Sequence, residues 1–414
     1  MTNPSIYRQI EDIFNEIDSQ VEGNDTEEVD AEEVIRNLTK DGGGIEVIGD
    51  EFNKIETNAE VIQSKAKEYY DAAYGMDGST TKDLSFNNGL ILSVAVAVAS
   101  VTGSENVEDV SDMGTVSISA YFDQEEINIE PRSRDRTEVH FNQFPRVKNL
   151  SSDLPNWVNS IARTHAEGRH FERVSNNVRG PLFVDGPLLP ADILIWTIYE
   201  ARGSPEGTPM EEWSGMVNAI LQSYVNGIEN CVKRGVPVYG VQKSTNATRV
   251  IDALLEKEPE LEETQMPFTN DGTLFNSALS SDSKDATITH TPWYVENKFD
   301  VGGVHGLVTP LKNYDSINLE LGDYDDYKRA FFFAKPPTQT TVYRIGVPVL
   351  LLQSENKEKL KNIALSEMIK QFREPLPVVV ADEKVRIPRD LRDKLRNLIT
   401  SESHKGTNEQ RGYT

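Results

Sequence analysis

Two short segments share one design, in which an aspartate follows an apolar run and a glycine follows the aspartate. Asp77 has this setting in Tyr74–Ser79, and Asp185 has it in Leu182–Pro187. Ligand groups collect at the carboxyl ends of strands in an open α/β sheet, and a glycine there lets the backbone turn away from the exposed carboxylate. One Asp-Gly pair alone would be an ordinary turn. Two pairs at the ends of predicted strands leave a shared metal site and a coincidence of turns as equal alternatives.

A third acid lies on the helix that is predicted to lead into the second of these strands. Glu167 stands 18 residues before Asp185, and Glu172 is an alternative that lies closer to the strand. The same helix is the most positive stretch of the chain, with Arg163, Arg169, His170, Arg173 and Arg179. Two interpretations of the arginines stay open, namely binding of DNA phosphates in high salt and ion pairing with surrounding acids.

These residue types suit phosphodiester hydrolysis, which needs an activated water and stabilisation of an anionic transition state. Two divalent ions about 3.5 to 4 Å apart, bridged by aspartates, supply both. Hard cations such as Mn²⁺ or Mg²⁺ select oxygen ligands, so aspartate and glutamate suffice. Lys243 follows the predicted strand Val236–Val241 and could add a fixed positive charge near the phosphate. From spacing alone, a solvent-exposed lysine at a strand end is the slightly favoured interpretation.

Hydrophobic periodicity predicts a mixed α/β chain with three opening strands followed by alternating helices and strands. The predicted strands are 73–77, 90–101, 115–122, 181–184, 236–241, 329–334 and 341–352, and the predicted helices are 154–176, 209–234, 357–371 and 388–399. A polar span is expected around 130–136. We therefore expect a core over 71–399, followed by a disordered polar tail over 400–414.

Residues 1–70 form a separate, acidic segment that is expected to be peripheral. They carry 18 acidic and 6 basic side chains, a net charge of −12. Apolar residues recur at helical spacing at both ends of the segment, and a Gly-rich stretch, Asp41–Gly44, lies between them. The pattern predicts two helices joined by a solvated linker, as an N-terminal helical extension whose apolar faces serve packing or dimer formation.

The formal net charge is −25, from 67 acidic and 42 basic residues, which on its face argues against nucleic-acid binding. A salt-adapted surface is the alternative, because the Debye length falls to about 3 Å in molar salt. The single cysteine, Cys231, excludes a multi-cysteine zinc site. No apolar run reaches the ~18 residues of a membrane span, and the N-terminus has no secretory pattern, so we expect a cytoplasmic protein. No phosphate-binding loop motif occurs, so an ATP-driven step would belong to another protein.

Six motifs in order resemble those of the NurA nucleases, with a haloarchaeal type suggested by the acidic composition. They are Gly75–Ser79, Phe183–Leu188, Val238–Ser244, Asn270–Phe275, Phe331–Lys335 and Val342–Pro348, and the resemblance covers roughly residues 70–395. It implies an RNase H-like mixed sheet related to PIWI domains and flanked by helices. It also implies a manganese-dependent 5′-to-3′ DNA exonuclease with single-strand endonuclease activity, a homodimer, and the hexameric HerA ATPase as partner in double-strand break end resection.

The resemblance also assigns residues, position by position. Asp77 and Asp185 match the family's first and second metal-binding aspartates, and Glu167 matches the glutamate between them. Asp271 and Lys243 match further family positions. The family's last histidine is replaced here by Asp382, a carboxylate that would still bind metal but would lose the proton-relaying imidazole. Glu374 also stands where the family tends to have a tyrosine.

The sequence is consistent with three alternative functions. The first is the nuclease, with Asp77, Glu167, Asp185 and Asp382 as metal ligands, Lys243 in catalysis, and DNA contacts from Arg163, Arg169, Arg173 and Lys243. The second is a catalytically weakened subunit that keeps the fold and docks on HerA or DNA, which the His-to-Asp exchange motivates. The third, a phosphatase or nucleotide hydrolase, lacks a nucleotide-binding loop. His290 and His305 are expected to be surface or loop histidines rather than active-site neighbours.

Overall fold

The structure is a computed structural model that describes most of the chain between residues 30 and 388. The described residues are 13–16, 30–36, 44–48, 53–81, 84–86, 88–103, 108–144, 154–190, 210–243, 247–257, 266–281, 287–297, 299–301, 304–307, 317–337, 339–388, 390, 393–395 and 397.

The elements follow one another as the hydrophobic pattern of the core segments predicts. The strands are β1 Ile45–Ile48, β2 Ile55–Asn58, β3 Ala72–Thr80, β4 Leu84–Ser85, β5 Ile91–Gly103, β6 Gly114–Tyr121, β7 Arg132–Arg134, β8 Thr137–Gln143, β9 Leu182–Asp185, β10 Val238–Lys243, β11 Thr287–His290, β12 Trp293–Glu296, β13 Phe299–Val301, β14 Val304–Leu307, β15 Arg329–Lys335 and β16 Tyr343–Pro348. The helices are α1 Ala31–Arg36, α2 Ala59–Ala66, α3 Glu108–Ser111, α4 Leu154–Ser175, α5 Met210–Lys233, α6 Arg249–Lys257, α7 Asp271–Ala278, α8 Val349–Ser354, α9 Lys357–Ile369 and α10 Leu376–Val385.

One large mixed sheet organises these elements. Its spatial order is β1-β12-β15-β16-β10-β9-β3-β5-β6-β8-β7, with β11, β2 and β4 pairing off this path. β3, β9 and β10 run parallel to one another at its centre, whereas β5 and β16 flank them antiparallel. Parallel neighbours bring their carboxyl ends to the same edge, so the ends of β9 and β10 come together. β3 runs past its predicted end at Asp77 as far as Thr80.

Helices cover both faces of the sheet, which confirms the predicted mixed sheet flanked by helices. On one face α4 and α5 pack against β3, β5 and β9 in a core that includes Met76, Phe171 and Tyr224. On the other face α9 and α10 pack over β3, β9 and β10 with Phe183 and Tyr239. A third core, under α1, α6 and α7, covers β1, β12 and β15.

The prediction of two N-terminal helices joined by a solvated linker is wrong for residues 45–58. β1 pairs with β12 and β2 pairs with β11, so both strands belong to the main sheet. Ile45 and Val47 are both buried and alternate with less buried neighbours, which is the period of a strand and not of a helix. Their partner strands lie far along the chain, so the local sequence does not show this pairing. The second predicted helix is present as α2, whereas Asp41–Gly43 and the start of the first helix lie outside the described residues.

Three further differences concern chain segments rather than the core. The predicted strand over 341–352 ends at Pro348, where α8 begins. The polar span around 130–136 forms the β7–β8 hairpin on the sheet edge. The predicted helix 388–399 is described only in single residues and short pieces, and the predicted tail 400–414 lies outside the described residues. In the part of the chain that is described, no helix combines the length and apolarity that crossing a bilayer requires.

Candidate functional site

The two Asp-Gly aspartates lie on neighbouring strands of the central parallel group. The pairing of β3 with β9 runs in register through Met76 and Val184, and the next residue on each strand is Asp77 and Asp185. Neighbouring strands are about 4.8 Å apart, and residues in register on parallel strands point to the same face. The structure therefore brings together two carboxylates that are more than a hundred residues apart in sequence.

Asp77 is a buried carboxylate without a counter-ion. Its side chain belongs to a residue that is 4% exposed, and its Oδ1 accepts a 2.7 Å hydrogen bond from the N–H of Gly78. Burial raises the pKa of Asp77 to about 7, and the nearby charges of Asp185 and Glu167 act in the same direction. Among the described residues, no lysine or arginine forms an ion pair with Asp77, so the site holds an excess of negative charge at this point.

Glu167 lies against Gly78 on the face of the sheet opposite the Asp77 side chain, close enough for its charge to raise the pKa of Asp77. Gly78 points toward α4 because successive strand residues alternate between faces. A Cβ placed on Gly78 would lie 2.6 Å from Cγ of Glu167, so no larger residue fits beside this carboxylate. Glu167 accepts hydrogen bonds from Arg163 Nε at 2.7 Å and from Tyr224 Oη at 3.2 Å. Burial raises the pKa of Glu167, although Arg163 opposes that shift.

Lys243 is held between two carboxylates at the end of β10. Its Nζ lies 3.3 Å from Asp185 Oδ2 and 3.5 Å from Glu374 Oε1. Burial raises the pKa of Asp185, and the Lys243 charge limits the shift. This position is more specific than an exposed lysine at a strand end, because the ammonium group contacts one of the two paired aspartates.

Glu374 belongs to the site, and the sequence marked it only as a departure from the family's tyrosine. It is buried just before α10, where Tyr343 Oη donates to its Oε2 at 3.1 Å and Arg373 Nη2 donates to its Oε1 at 2.7 Å. Burial acts to raise the pKa of Glu374, but the hydrogen bond from Arg373 and the Lys243 charge leave the pKa below its usual value. Glu374 is thus an ionised acid that fixes Lys243.

Asp382 lies near the edge of this group, where its charge acts on Arg373, which donates a hydrogen bond to Glu374. Its role as the last metal ligand stays a prediction. Its side chain is 43% exposed and pairs with Arg386 at 3.0 Å, one turn further along α10. The packed face of α10 includes Val378, Ala381 and Val385, so Asp382 lies beside that face rather than on it. The local sequence places an acid here without indicating which way the helix faces.

Ion pairing engages the three arginines that were predicted to contact DNA. Arg163 pairs with Glu167, as described above, and Arg169 Nη1 lies 3.1 Å from Glu172 Oε2. Arg173 pairs with Glu138 at 2.9 Å and donates to the carbonyl of Gly114 at 2.7 Å. The ion-pair interpretation therefore describes their contacts. Of the two helical acids, Glu167 lies against Gly78 beside Asp77, whereas Glu172 contacts Arg169 and Asn226.

The remaining sequence candidates lie elsewhere. Asp271 accepts hydrogen bonds from the N–H groups of Val250 and Ile251 and so caps α6, over the third core. His290 is buried on β11 beside Thr57, with burial lowering its pKa to about 3, and is neither a surface histidine nor part of the acid group. The side chain of His305 lies outside the described residues.

The acid group suits a divalent cation by its donor chemistry, although it is not preformed as a metal cage. Within the described ranges, no three His, Cys, Asp or Glu side chains are arranged to hold a metal ion. Arg163 and Lys243 instead neutralise Glu167 and Asp185, and Asp77 is left as the uncompensated acid. Carboxylate oxygens are what Mn²⁺ and Mg²⁺ prefer, and a buried, unpaired carboxylate beside a second one favours a cation.

No protein-family model and no curated protein matches the chain. Among solved structures, the chain is similar to NurA nucleases, the family that its sequence motifs resemble. The NurA nuclease from Sulfolobus solfataricus is 11% identical with a TM-score of 0.48, and the match covers 97% of each chain. A NurA structure with manganese is 11% identical with a TM-score of 0.41, over 98% of this chain and 100% of that one. A NurA structure bound to dAMP and manganese is 12% identical with a TM-score of 0.34, over 83% and 93%.

Proposed function

We propose that the chain is a metal-dependent DNA nuclease whose site is centred on Asp77 and Asp185. The observation that carries the proposal is the placement of these two acids on neighbouring strands, each just past the last paired residues of β3 and β9, with Asp77 buried and without an ion pair among the described residues. Structural acids in a core are normally paired with cations or fully hydrogen-bonded. DNA as the substrate rests on the sequence resemblance to NurA nucleases.

In this proposal Asp77 and Asp185 hold Mn²⁺ or Mg²⁺, two ions in all, with Glu167 as a further ligand. The ions when bound would supply an activated water and stabilise negative charge on the phosphoryl group. Lys243 adds a fixed positive charge beside Asp185, and Glu374 and Tyr343 keep the ammonium group in place. Arg163, whose side chain is half exposed, holds Glu167 at the gap over Gly78 and presents positive charge toward an incoming phosphate.

The wider role follows the resemblance. We infer 5′-to-3′ exonuclease and single-strand endonuclease activity on an RNase H-like core, a homodimer, and the HerA ATPase as partner in double-strand break end resection. A cytoplasmic location in a haloarchaeon fits the acidic composition. Arg169 and Arg173 could still contribute to the DNA surface through their charge, although their described contacts are with acids and a backbone carbonyl.

A second candidate function is a catalytically weakened subunit that binds DNA or HerA without cleaving. Three ion pairs favour it, because each engages an acid that was predicted to bind metal. They are Asp185 with Lys243, Glu167 with Arg163, and Asp382 with Arg386. If those cations hold the acids permanently, metal would not enter.

Cleavage assays on matched variants separate the two candidates. Asp77→Asn and Asp185→Asn should each lower Mn²⁺-dependent cleavage of single-stranded DNA by at least about 100-fold, the scale of losing a group that stabilises transition-state charge. Asp135→Asn is the matched control, because it makes the same chemical change on an exposed aspartate of the β7–β8 hairpin, and it should retain activity. Cleavage that persists in both site variants would contradict the nuclease site, and no cleavage by the wild type would favour the weakened subunit.

A further inference from the structure

Lys243 contacts two acids of different character at the end of β10. Its Nζ lies 3.3 Å from Oδ2 of Asp185, which belongs to the acid pair, and 3.5 Å from Oε1 of Glu374, which does not. The Lys243 side chain is 34% exposed, so water can reach the ammonium group. A lysine stem has four carbons and is flexible, so the ammonium group can shift between the two acids while the backbone stays in the sheet.

Glu374 is held in place by groups other than Lys243. It is 4% exposed, its Oε2 accepts a hydrogen bond from Tyr343 Oη at 3.1 Å, and its Oε1 accepts one from Arg373 Nη2 at 2.7 Å. Tyr343 lies opposite Lys243 in the register of β16 and β10, so both side chains reach Glu374 from the same face of the sheet. Glu374 therefore stays an acceptor for Lys243 whether or not Asp185 is available.

Asp185 cannot serve Lys243 and a divalent ion equally well. The ammonium group contacts Oδ2 of Asp185, while Asp77 on the neighbouring strand forms no ion pair among the described residues. Positive charges that share one carboxylate repel each other, so a divalent ion on Asp185 disfavours the ammonium contact there. In the metal-free protein the ammonium group thus compensates part of the negative charge of the acid pair.

We propose that Lys243 stands in for the divalent ion in the metal-free protein, and that Glu374 is the positioning residue to which its ammonium group withdraws when an ion is bound. This role of Lys243 rests on the proposed metal site at Asp77 and Asp185. Lys243 keeps its contact with Glu374 in both states and gives up the contact with Asp185 in the metal-bound state. Glu374 thereby sets the affinity for the ion, because it offers the ammonium group a second acceptor.

Mn²⁺ binding, followed by the electron paramagnetic resonance of the free ion, tests this exchange without a cleavage assay. Lys243→Met should bind Mn²⁺ at least about 5-fold more tightly than the wild type, and Glu374→Gln at least about 5-fold more weakly, the lower end of couplings between sites. Loss of a negative charge alone would weaken binding by the same factor with or without the lysine. The exchange instead predicts that Glu374→Gln weakens binding by a factor at least about 5-fold smaller when Lys243→Met is also present.

Two controls locate the effect. Asp77→Asn added to Lys243→Met should remove the tighter binding, which would place the bound ion at the acid pair. Lys359→Met is the matched control, because Lys359 is similarly exposed and pairs with Glu355 outside the acid group, and it should bind like the wild type. Lys243→Gln gives the same comparison if the methionine variant does not fold.

The outcomes separate the role of Lys243 from the proposed function. Asp77-dependent binding with equal affinity in the wild type and Lys243→Met, or with additive effects of Lys243→Met and Glu374→Gln, would overturn the role of Lys243 and leave the metal site standing. No Mn²⁺ binding by either the wild type or Lys243→Met would contradict both. Binding that is detectable only in Lys243→Met, and is lost with Asp77→Asn, would support the exchange.

Discussion

At the scale of single residues, the site is defined by which acids have cations and which do not. Asp185 forms an ion pair with Lys243, and Glu167 forms one with Arg163. Among the described residues, Asp77 forms no ion pair and accepts a hydrogen bond from the N–H of Gly78. Burial raises the pKa of Asp77 to about 7, and the charges of Asp185 and Glu167 add to the shift. Burial disfavours the charged form of such a carboxyl group, and a bound cation stabilises that charged form.

Asp77→Asn should stabilise the metal-free protein at high pH. Because folding raises the pKa of Asp77 from 3.8 to about 7, the folded state holds a proton that the unfolded state has lost, and stability falls as pH rises through that interval. Above pH 7 the charged Asp77 destabilises the fold by a few kcal/mol, at about 1.4 kcal/mol per pKa unit. Asparagine has no charge to bury and avoids this loss.

Urea unfolding in EDTA at pH 4 and pH 8 measures the effect. The variant should be more stable than the wild type at pH 8 by roughly 2 to 4 kcal/mol and close to it at pH 4, by the same linkage. A variant that is equally or less stable at pH 8 would show that Asp77 is compensated in the folded protein.

Sequence could identify the aspartates but not their partners. The Asp-Gly pattern located Asp77 and Asp185 because the pattern is local, although only Asp185 ends its strand and β3 continues past Asp77 to Thr80. The sequence marked Glu374 only as a departure from the family's tyrosine. Its place in the site depends on contacts with Tyr343 and Lys243, which only the fold brings together. The contacts of Asp382 could not be predicted, because one residue's shift along a helix turns a side chain by about 100° and a short motif does not fix the helix's orientation.

At the scale of elements, the site depends on the close packing of helix α4 on the sheet. α4 packs closely on β3 and β5, and Ala95, Ala97, Ala162 and Ala166 keep the helix–sheet distance short. Because Gly78 has no side chain, Glu167 of α4 can lie directly against β3, on the face opposite the Asp77 side chain. Helical and strand periodicity predicted α4, α5, β3 and β5 well, whereas β1, β2, β11 and β12 pair over long sequence distances that no local period records.

Gly78→Ala should impair the site more than the fold. The new methyl group would meet the Glu167 side chain at 2.6 Å, so the carboxylate must leave its place between Arg163 and Tyr224. We expect cleavage to fall at least about 10-fold, consistent with misplacement of a group in the site by about 1 Å. Gly215→Ala, at a helical glycine with open space around it, is the matched control and should keep full activity.

A second substitution tests the cause of that loss. Glu167→Asp shortens the side chain, so adding it to Gly78→Ala should recover part of the activity. If Gly78→Ala is as active as the wild type, Glu167 does not act from this position.

At the scale of the whole molecule, the charge of −25 makes local cations decisive for an approaching phosphate. Lys243 and Arg163 lie at the acid group. The composition predicted the acidic surface, but the positions of these cations follow only from the sheet. Three parallel strands, β3, β9 and β10, bring residues from distant parts of the chain to one edge.

The most direct test of the metal site is a crystal structure of the protein soaked in manganese, read by the anomalous scattering of the ion. The account predicts an anomalous peak in contact with carboxylate oxygens of both Asp77 and Asp185, with Lys243 displaced from Asp185 or shared with the site. A peak at other residues, or unaltered pairing of Asp185 with Lys243 and no peak beside Asp77, would contradict it.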